Sequence, residues 1–321
     1  RRLSAAVLER FETAVLDMDE PGIAAACPLL APLGLATQGQ ELYLGFARQA
    51  LEADLNAGIG DEVSPATQCL PEIYNVAAAF LRRQVPVAAA GLAPCLGDVA
   101  LVRVVTRECG DRAAAVLEKH LREKNVAAWA ARGVASWPEV SSGGGSGSGE
   151  DAEGAAATAK VLGQADALLD ELAILTQHTE SYDRFVRFLV EEVESAHPSE
   201  EEAISAEAGK VRGKSSAVPA PILEPIMPAR TRLQEAGAEV AMYYSQIEGQ
   251  LMNASVAKAI ALDEISAGST ACSCAEDAFF VAQRCAKRGL ATGHAGAASA
   301  VVNHAANILG ENLLQALVRK V

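Results

Sequence analysis

LLDELAILTQHTESYDRFVRFLVEEV, residues Leu168 to Val193, carries the most regular hydrophobic pattern in the chain. Leu168, Leu172, Leu175, Thr179, Tyr182, Val186, Leu189 and Val193 step by 4, 3, 4, 3, 4, 3 and 4 residues. That alternation holds one row of side chains on a single helix face, so the stretch is read as a long helix with an apolar seam interrupted only by Thr179. Such a row has two destinations, a bundle core within the chain or a helix from a second chain. Phe185 and Phe188 widen the apolar face, which favours the internal core, with an intermolecular coiled coil as the alternative. A shorter row follows at Val240, Tyr244, Ile247 and Leu251. A helix of about 35 residues spans about 50 Å, longer than a compact domain of this mass. The expected fold is therefore all-α, an elongated array of long helices and helical bundles.

Composition points the same way. Half of the 321 residues are hydrophobic, but only 4% are aromatic, and alanine is abundant. Alanine is the best helix former, and strand formers are sparse. The formal net charge is −14, with no clustered basic stripe, which excludes an electrostatic nucleic-acid footprint and a polybasic membrane patch. No uninterrupted apolar run reaches the length that crosses a bilayer, so no transmembrane segment is expected. The seven cysteines form no disulfide-type framework and read as reduced, cytosolic thiols. The sequon at Asn253 would then stay unused.

Turn signals divide the remainder. Leu3, Val7, Leu8, Phe11 and Val15 form a first stripe that should end near Glu20–Gly22. Tyr43, Phe46, Ala47, Ala50 and Leu51 share the face of a second helix. Pro71 is placed at the first turn of a third, and a longer pattern runs from about Asp98 to Ala131, weakened at Gly110. The expected organisation is an N-terminal helical region over 1–137, a Gly/Ser-rich acidic linker over 138–156, a long heptad-patterned helix over 157–205, a Pro-rich loop over 206–230 and a truncated C-terminal helical region over 231–321. Arg1-Arg2 lies inside a helical pattern, and the closing ENLLQALVRKV has no stop signal, so the chain is expected to be a segment of a longer protein.

Chemistry has few footholds. Cys272, Cys274, Cys285, His294 and His304 fall within 40 residues but match no closed four-ligand zinc spacing. Ser273 and Glu276 fit a capping box, which places Cys274 at a helix start and Cys285 in mid-helix beside Ala278, Val281 and Ala282. His294 in TGHAG reads as a turn and His304 as the edge of a packing face. No metal and no cofactor is expected. Gly147, Gly149 and Ala152 imitate a dinucleotide fingerprint without a preceding strand. Gly213-Lys214-Ser215 imitates a phosphate loop whose first glycine is replaced by Ala208. There is no aspartate-rich magnesium motif, no pair of Glu-x-x-His motifs for a di-iron bundle and no G-x-S-x-G elbow, so no catalytic residue is assigned.

Three blocks closely resemble the family of subunit 4 of the conserved oligomeric Golgi complex. VAKAIALDE followed by AEDAFFVAQRCAKRGLATG carries Lys258, Ala259, Ala261, Leu262, Asp263, Asp277, Phe279, Cys285 and Arg288 at the family's spacing. LVRVVTRECGDRAAAVLEKHLREKNV carries Glu108, Cys109, Asp111 and Arg112, and residues 7–55 resemble the preceding helices. The Gly/Ser linker and the alanine richness depart from the family pattern. The resemblance implies helical rods of the multisubunit tethering-complex type and a non-enzymatic vesicle-tethering subunit acting in intra-Golgi retrograde transport. It implies a peripheral place on the cytosolic face of the Golgi. Its implied partners are sister subunits, together with SNARE proteins and their regulators through segments outside this chain. The alternatives are a helical adaptor of another trafficking pathway, or a helical enzyme whose site is completed elsewhere. Within the chain the candidate packing or partner seam is Leu168, Leu172, Leu175, Tyr182, Val186, Leu189 and Val193.

Overall fold

The computed structural model describes residues 2–58, 64–131, 150–197, 224–263 and 272–320. The glycine-serine run at Gly143–Gly149, most of the Pro-rich segment and the phosphate-loop imitation at Gly213-Lys214-Ser215 lie outside the described residues. Among those described there is no strand. The helices are α1 (Arg2–Leu16), α2 (Glu20–Ala26), α3 (Ala36–Gly58), α4 (Ala66–Leu92), α5 (Gly97–Glu123), α6 (Val126–Ala131), α7 (Glu150–Ser195), α8 (Arg232–Leu262), α9 (Ser273–Ala291), α10 (Ala295–Asn307) and α11 (Leu314–Lys320). A π-helical turn, Ile308–Leu313, joins the last two. The chain forms two compact units, Arg1–Ala115 with Tyr182–Gln234 and Val116–Ser181 with Glu235–Val321. The division falls inside α5, α7 and α8, so each unit is built from pieces distant in sequence.

In the first unit, α3 buries Tyr43, Phe46, Ala47, Ala50 and Leu51, the five residues of its apolar stripe. They face a core completed by Ile73, Ala77, Phe80 and Leu81 of α4. The Tyr43 hydroxyl donates to the Gln84 side-chain oxygen at 2.8 Å, which satisfies two buried polar groups at once. Gly91 is required by close approach. A Cβ there would lie 1.9 Å from the Cys27 carbonyl oxygen.

Local signals were overridden at two points. Glu20–Gly22 opens α2 rather than closing α1, with Pro21 in its first turn, because the reversal is made earlier by Met18 in the left-handed region at φ 54°. Of the stripe read on α1, only Phe11 is buried, and Leu3 is 67% exposed. Pro71 sits inside α4, as does Pro86, rather than opening it. Burial of Cys69, Leu70, Ile73 and Tyr74 on both sides of Pro71 carries the helix across the missing N–H.

In the second unit the core is formed by Leu117 and Leu121 of α5, the first half of the α7 row, and Val240, Tyr244, Ile247 and Leu251 of α8. Cys274, Ala278, Ala282 and Cys285 of α9 and Ala297, Val301 and Ala305 of α10 supply further core side chains. α9 and α10 form a hairpin across the turn at Gly293, φ 70°. The His294 ring caps α10 by accepting from the Ala297 N–H at 3.0 Å. Gly289 lets the two helices approach, since a Cβ there would meet the Val301 side chain at 3.1 Å.

Candidate functional site

Every member of the α7 row is buried, from Leu168 at 6% exposure and Leu172 and Leu175 at 0% to Tyr182, Val186, Leu189 and Val193. Leu168, Leu172, Leu175 and Thr179 belong to the second unit, and Tyr182 to Val193 belong to the first. Thr179 does not open the row to water. Its hydroxyl donates back to the Leu175 carbonyl at 2.9 Å, which leaves its methyl for packing. Tyr182 stacks on Tyr74 with ring centroids 4.4 Å apart and planes at 10°. The widening of the face is only half realised. Phe185 lies under the Arg82 guanidinium, 5.1 Å from the ring centroid, but Phe188 is 66% exposed.

A polar centre sits in the core of the second unit. Arg288 of α9 points inward, its side chain only 10% exposed. Its Nε and Nη2 each donate at 2.9 Å to the two oxygens of Glu248, a fully enclosed residue of α8. Its Nη1 donates at 2.8 Å to Asp166 and at 2.8 Å to Asp170, one turn apart on α7. Arg284 binds the second oxygen of Asp166. The fork-to-carboxylate geometry directs each Arg288 nitrogen to an oxygen. Burial disfavours the charge of Arg288, but the hydrogen bonds and charge of Glu248 outweigh it and raise the guanidinium pKa. Burial likewise opposes the charge of Asp166, while the bonds from Arg288 and Arg284 bring its pKa below the ordinary carboxylate value. Cys285 lies in this environment, its thiol raised by burial and by the Glu248 charge.

The other two clustered cysteines behave differently. Cys272 and Cys274 bring their Sγ atoms to 2.7 Å, and the Cys272 thiol donates to Asp263 Oδ2 at 2.9 Å. The capping box read at Ser273 and Glu276 does not form. Instead Asp263 Oδ1 accepts from the Ser273 hydroxyl at 2.9 Å and from the Cys274 N–H at 3.1 Å. A carboxylate from beyond the end of α8 thus takes the donors that a capping side chain would take. The Cys274 thiol is pushed up to about 12, first by burial and then by its bonds with Cys272 and the neighbouring Asp263. Asp263, Cys272 and Cys274 are the donor set among the described residues whose ligand atoms converge closely enough to hold a metal ion. His294 and His304 are not part of it.

The first unit holds a separate groove of about 630 Å³ lined by Arg103, Arg107, Asp111, Ile226, Met227 and Arg230 among others. Arg103 anchors one wall by donating to the Glu224 and Pro225 carbonyls at 3.0 and 3.2 Å.

Sequence reading singled out Arg288 and Cys285 but missed Glu248, Asp166 and Asp170. The signal was present. Glu248 falls four residues after Tyr244 and three before Leu251, a carboxylate on an apolar face, and Asp166 and Asp170 share one face at i and i+4.

Packed helices around an enclosed arginine–carboxylate network define a helical-bundle protein. A family model described as the COG4 transport protein, middle alpha-helical bundle, matches residues 96–321. The chain belongs to that family. A relative from Arabidopsis thaliana, conserved oligomeric Golgi complex subunit 4, is 23% identical over 330 aligned positions, covering 100% of this chain and 40% of the relative. The chain thus spans less than half the length of that relative. No solved structure matches it.

Proposed function

We propose that the chain is the helical middle of a non-enzymatic vesicle-tethering subunit of the conserved oligomeric Golgi complex, acting in intra-Golgi retrograde transport. The observation that carries this reading is the match of residues 96–321 to the family's middle bundle. The physical design is compatible with it. Two bundles with cores of interleaved helices and a buried ion network suit a protein that holds position and binds partners. In this reading sister subunits dock on the helical surfaces of the chain, and SNARE proteins and their regulators engage parts of the protein beyond it. The protein sits peripherally on the cytosolic face of the Golgi. Among the described residues no helix is long and apolar enough to cross a membrane. The α7 row serves as an internal packing seam that fixes the scaffold, not as the partner surface itself.

Affinity capture of the full-length natural protein from its own cells tests this. The expected result is co-purification of the other Golgi-complex subunits in constant ratio, with labelled protein on Golgi membranes. Recovery of the components of a different trafficking complex would instead assign the chain to an adaptor of that pathway and overturn the proposal.

A further inference from the structure

We propose that Asp263, Cys272 and Cys274 form a binding site for one thiophilic divalent cation of the zinc class, with water in the fourth position. The three donors come from two helix ends. Asp263 follows the last residue of α8, and the two cysteines open α9. Sequence spacing speaks against a closed four-ligand site, but it leaves open a three-ligand site that takes a water, the arrangement zinc adopts where one position stays open. Two thiolates select zinc, cadmium or cobalt over magnesium or calcium, and the carboxylate adds the hard donor that a divalent ion accepts and a monovalent copper site does not need.

The carboxylate is held for this task. Its Oδ1 accepts from the Ser273 hydroxyl and the Cys274 N–H, and its Oδ2 accepts from the Cys272 thiol at 2.9 Å. That is the outer-shell support that orients metal ligands. Cys274 is buried, whereas Asp263 and Cys272 are half-exposed, so an ion can enter from solvent and meet a fixed inner donor. With Zn–S bonds near 2.3 Å, two thiolates on a tetrahedral ion stand about 3.7 Å apart. Loading therefore separates the sulfurs from their 2.7 Å contact. The binding step is a proton exchange without redox change. The hydrated dication gives up all but one of its waters, two metal–sulfur bonds and one metal–oxygen bond to Asp263 form, and the proton released from each thiol goes to water. The ion clips the end of α8 to the start of α9.

The test uses the full chain, stripped with chelator and kept reduced with a phosphine. Cobalt(II) is titrated as the spectroscopic probe and then displaced with zinc. The expected result is one cobalt per chain with tetrahedral d–d and thiolate charge-transfer bands, lost on zinc addition. Cys272→Ser and Cys274→Ser should each weaken binding by about tenfold or more, and Asp263→Asn by about 10–100-fold. Cys95→Ser, a thiol distant in sequence that bonds the Leu92 carbonyl, serves as the unaffected control. Circular dichroism of each stripped variant separates lost binding from lost folding. Absence of tetrahedral cobalt, or binding indifferent to Cys272 and Cys274, overturns the proposal. Binding that needs the cysteines but not Asp263 also overturns it, because the site is then a bare dithiol.

Discussion

Arg288→Met removes the guanidinium that meets both oxygens of Glu248 while keeping most of the side chain's apolar volume. Glu248 has no exposed surface, so the orphaned carboxylate cannot recover its hydration. Removing one member of a buried pair costs about 3–5 kcal/mol, because the charge left behind is uncompensated. The reverse change is milder. Glu248→Gln leaves Arg288 still bonded to Asp166 and Asp170 at 2.8 Å, both partly exposed. At about 2–4 °C per kcal/mol for a domain of roughly 150–250 residues, Arg288→Met should lower Tm by about 6–20 °C. The double variant Arg288→Met/Glu248→Leu should recover much of the loss, since a packed apolar pair replaces a buried ion pair at little net cost. Urea unfolding followed by circular dichroism, run as a double-mutant cycle, supplies the numbers. A single-variant loss under about 1 kcal/mol, or no recovery in the double variant, refutes the account of the core network.

Leu175→Asp places a carboxylate at a position with no exposed surface, at a cost of several kcal/mol or forced protonation; thermal melting of the chain should fall sharply, and unchanged melting would remove the seam from the core. Tyr182→Phe should leave Tm unchanged or raise it, because the Tyr182 hydroxyl is buried with no hydrogen-bond partner while the stack on Tyr74 survives. A loss above about 1 kcal/mol on deleting that hydroxyl would reveal a bond the structure lacks.

Much of the fold was legible because period dominates propensity in long helices. The 4–3 row of α7, the stripe of α3 and the shorter row of α8 each settle one buried face, and those faces are the ones enclosed. What sequence could not deliver was the partition into units. α5, α7 and α8 each pass across the division, and a hydrophobic row carries no mark of where its neighbour changes. Local punctuation misled where packing outweighed it. Pro71 and Pro86 are tolerated inside α4 because the burial gained on either side exceeds the lost backbone bonds. Phe188 is exposed although its neighbours in sequence suggested a wider stripe, since a helix face is as wide as its partners and no wider.

The two polar clusters were legible to different degrees for one reason. Arg288 belongs to a recognisable block of residues, whereas its acceptors come from α7 and α8, about 40 to 120 positions away. A buried charge demands a partner but does not say which element supplies it. Asp263, Cys272 and Cys274 lie within a dozen residues, yet a capping box at Ser273 and Glu276 would close that helix start without calling on Asp263. Once Asp263 takes the Ser273 hydroxyl and the Cys274 N–H, the same two bonds that end the capping box also aim the carboxylate at the thiols. A helix start capped from outside its own sequence is thereby also a place where donors from two elements converge. The substitution Asp263→Asn separates the two roles: it keeps the capping oxygen and removes the charge that a cation would need.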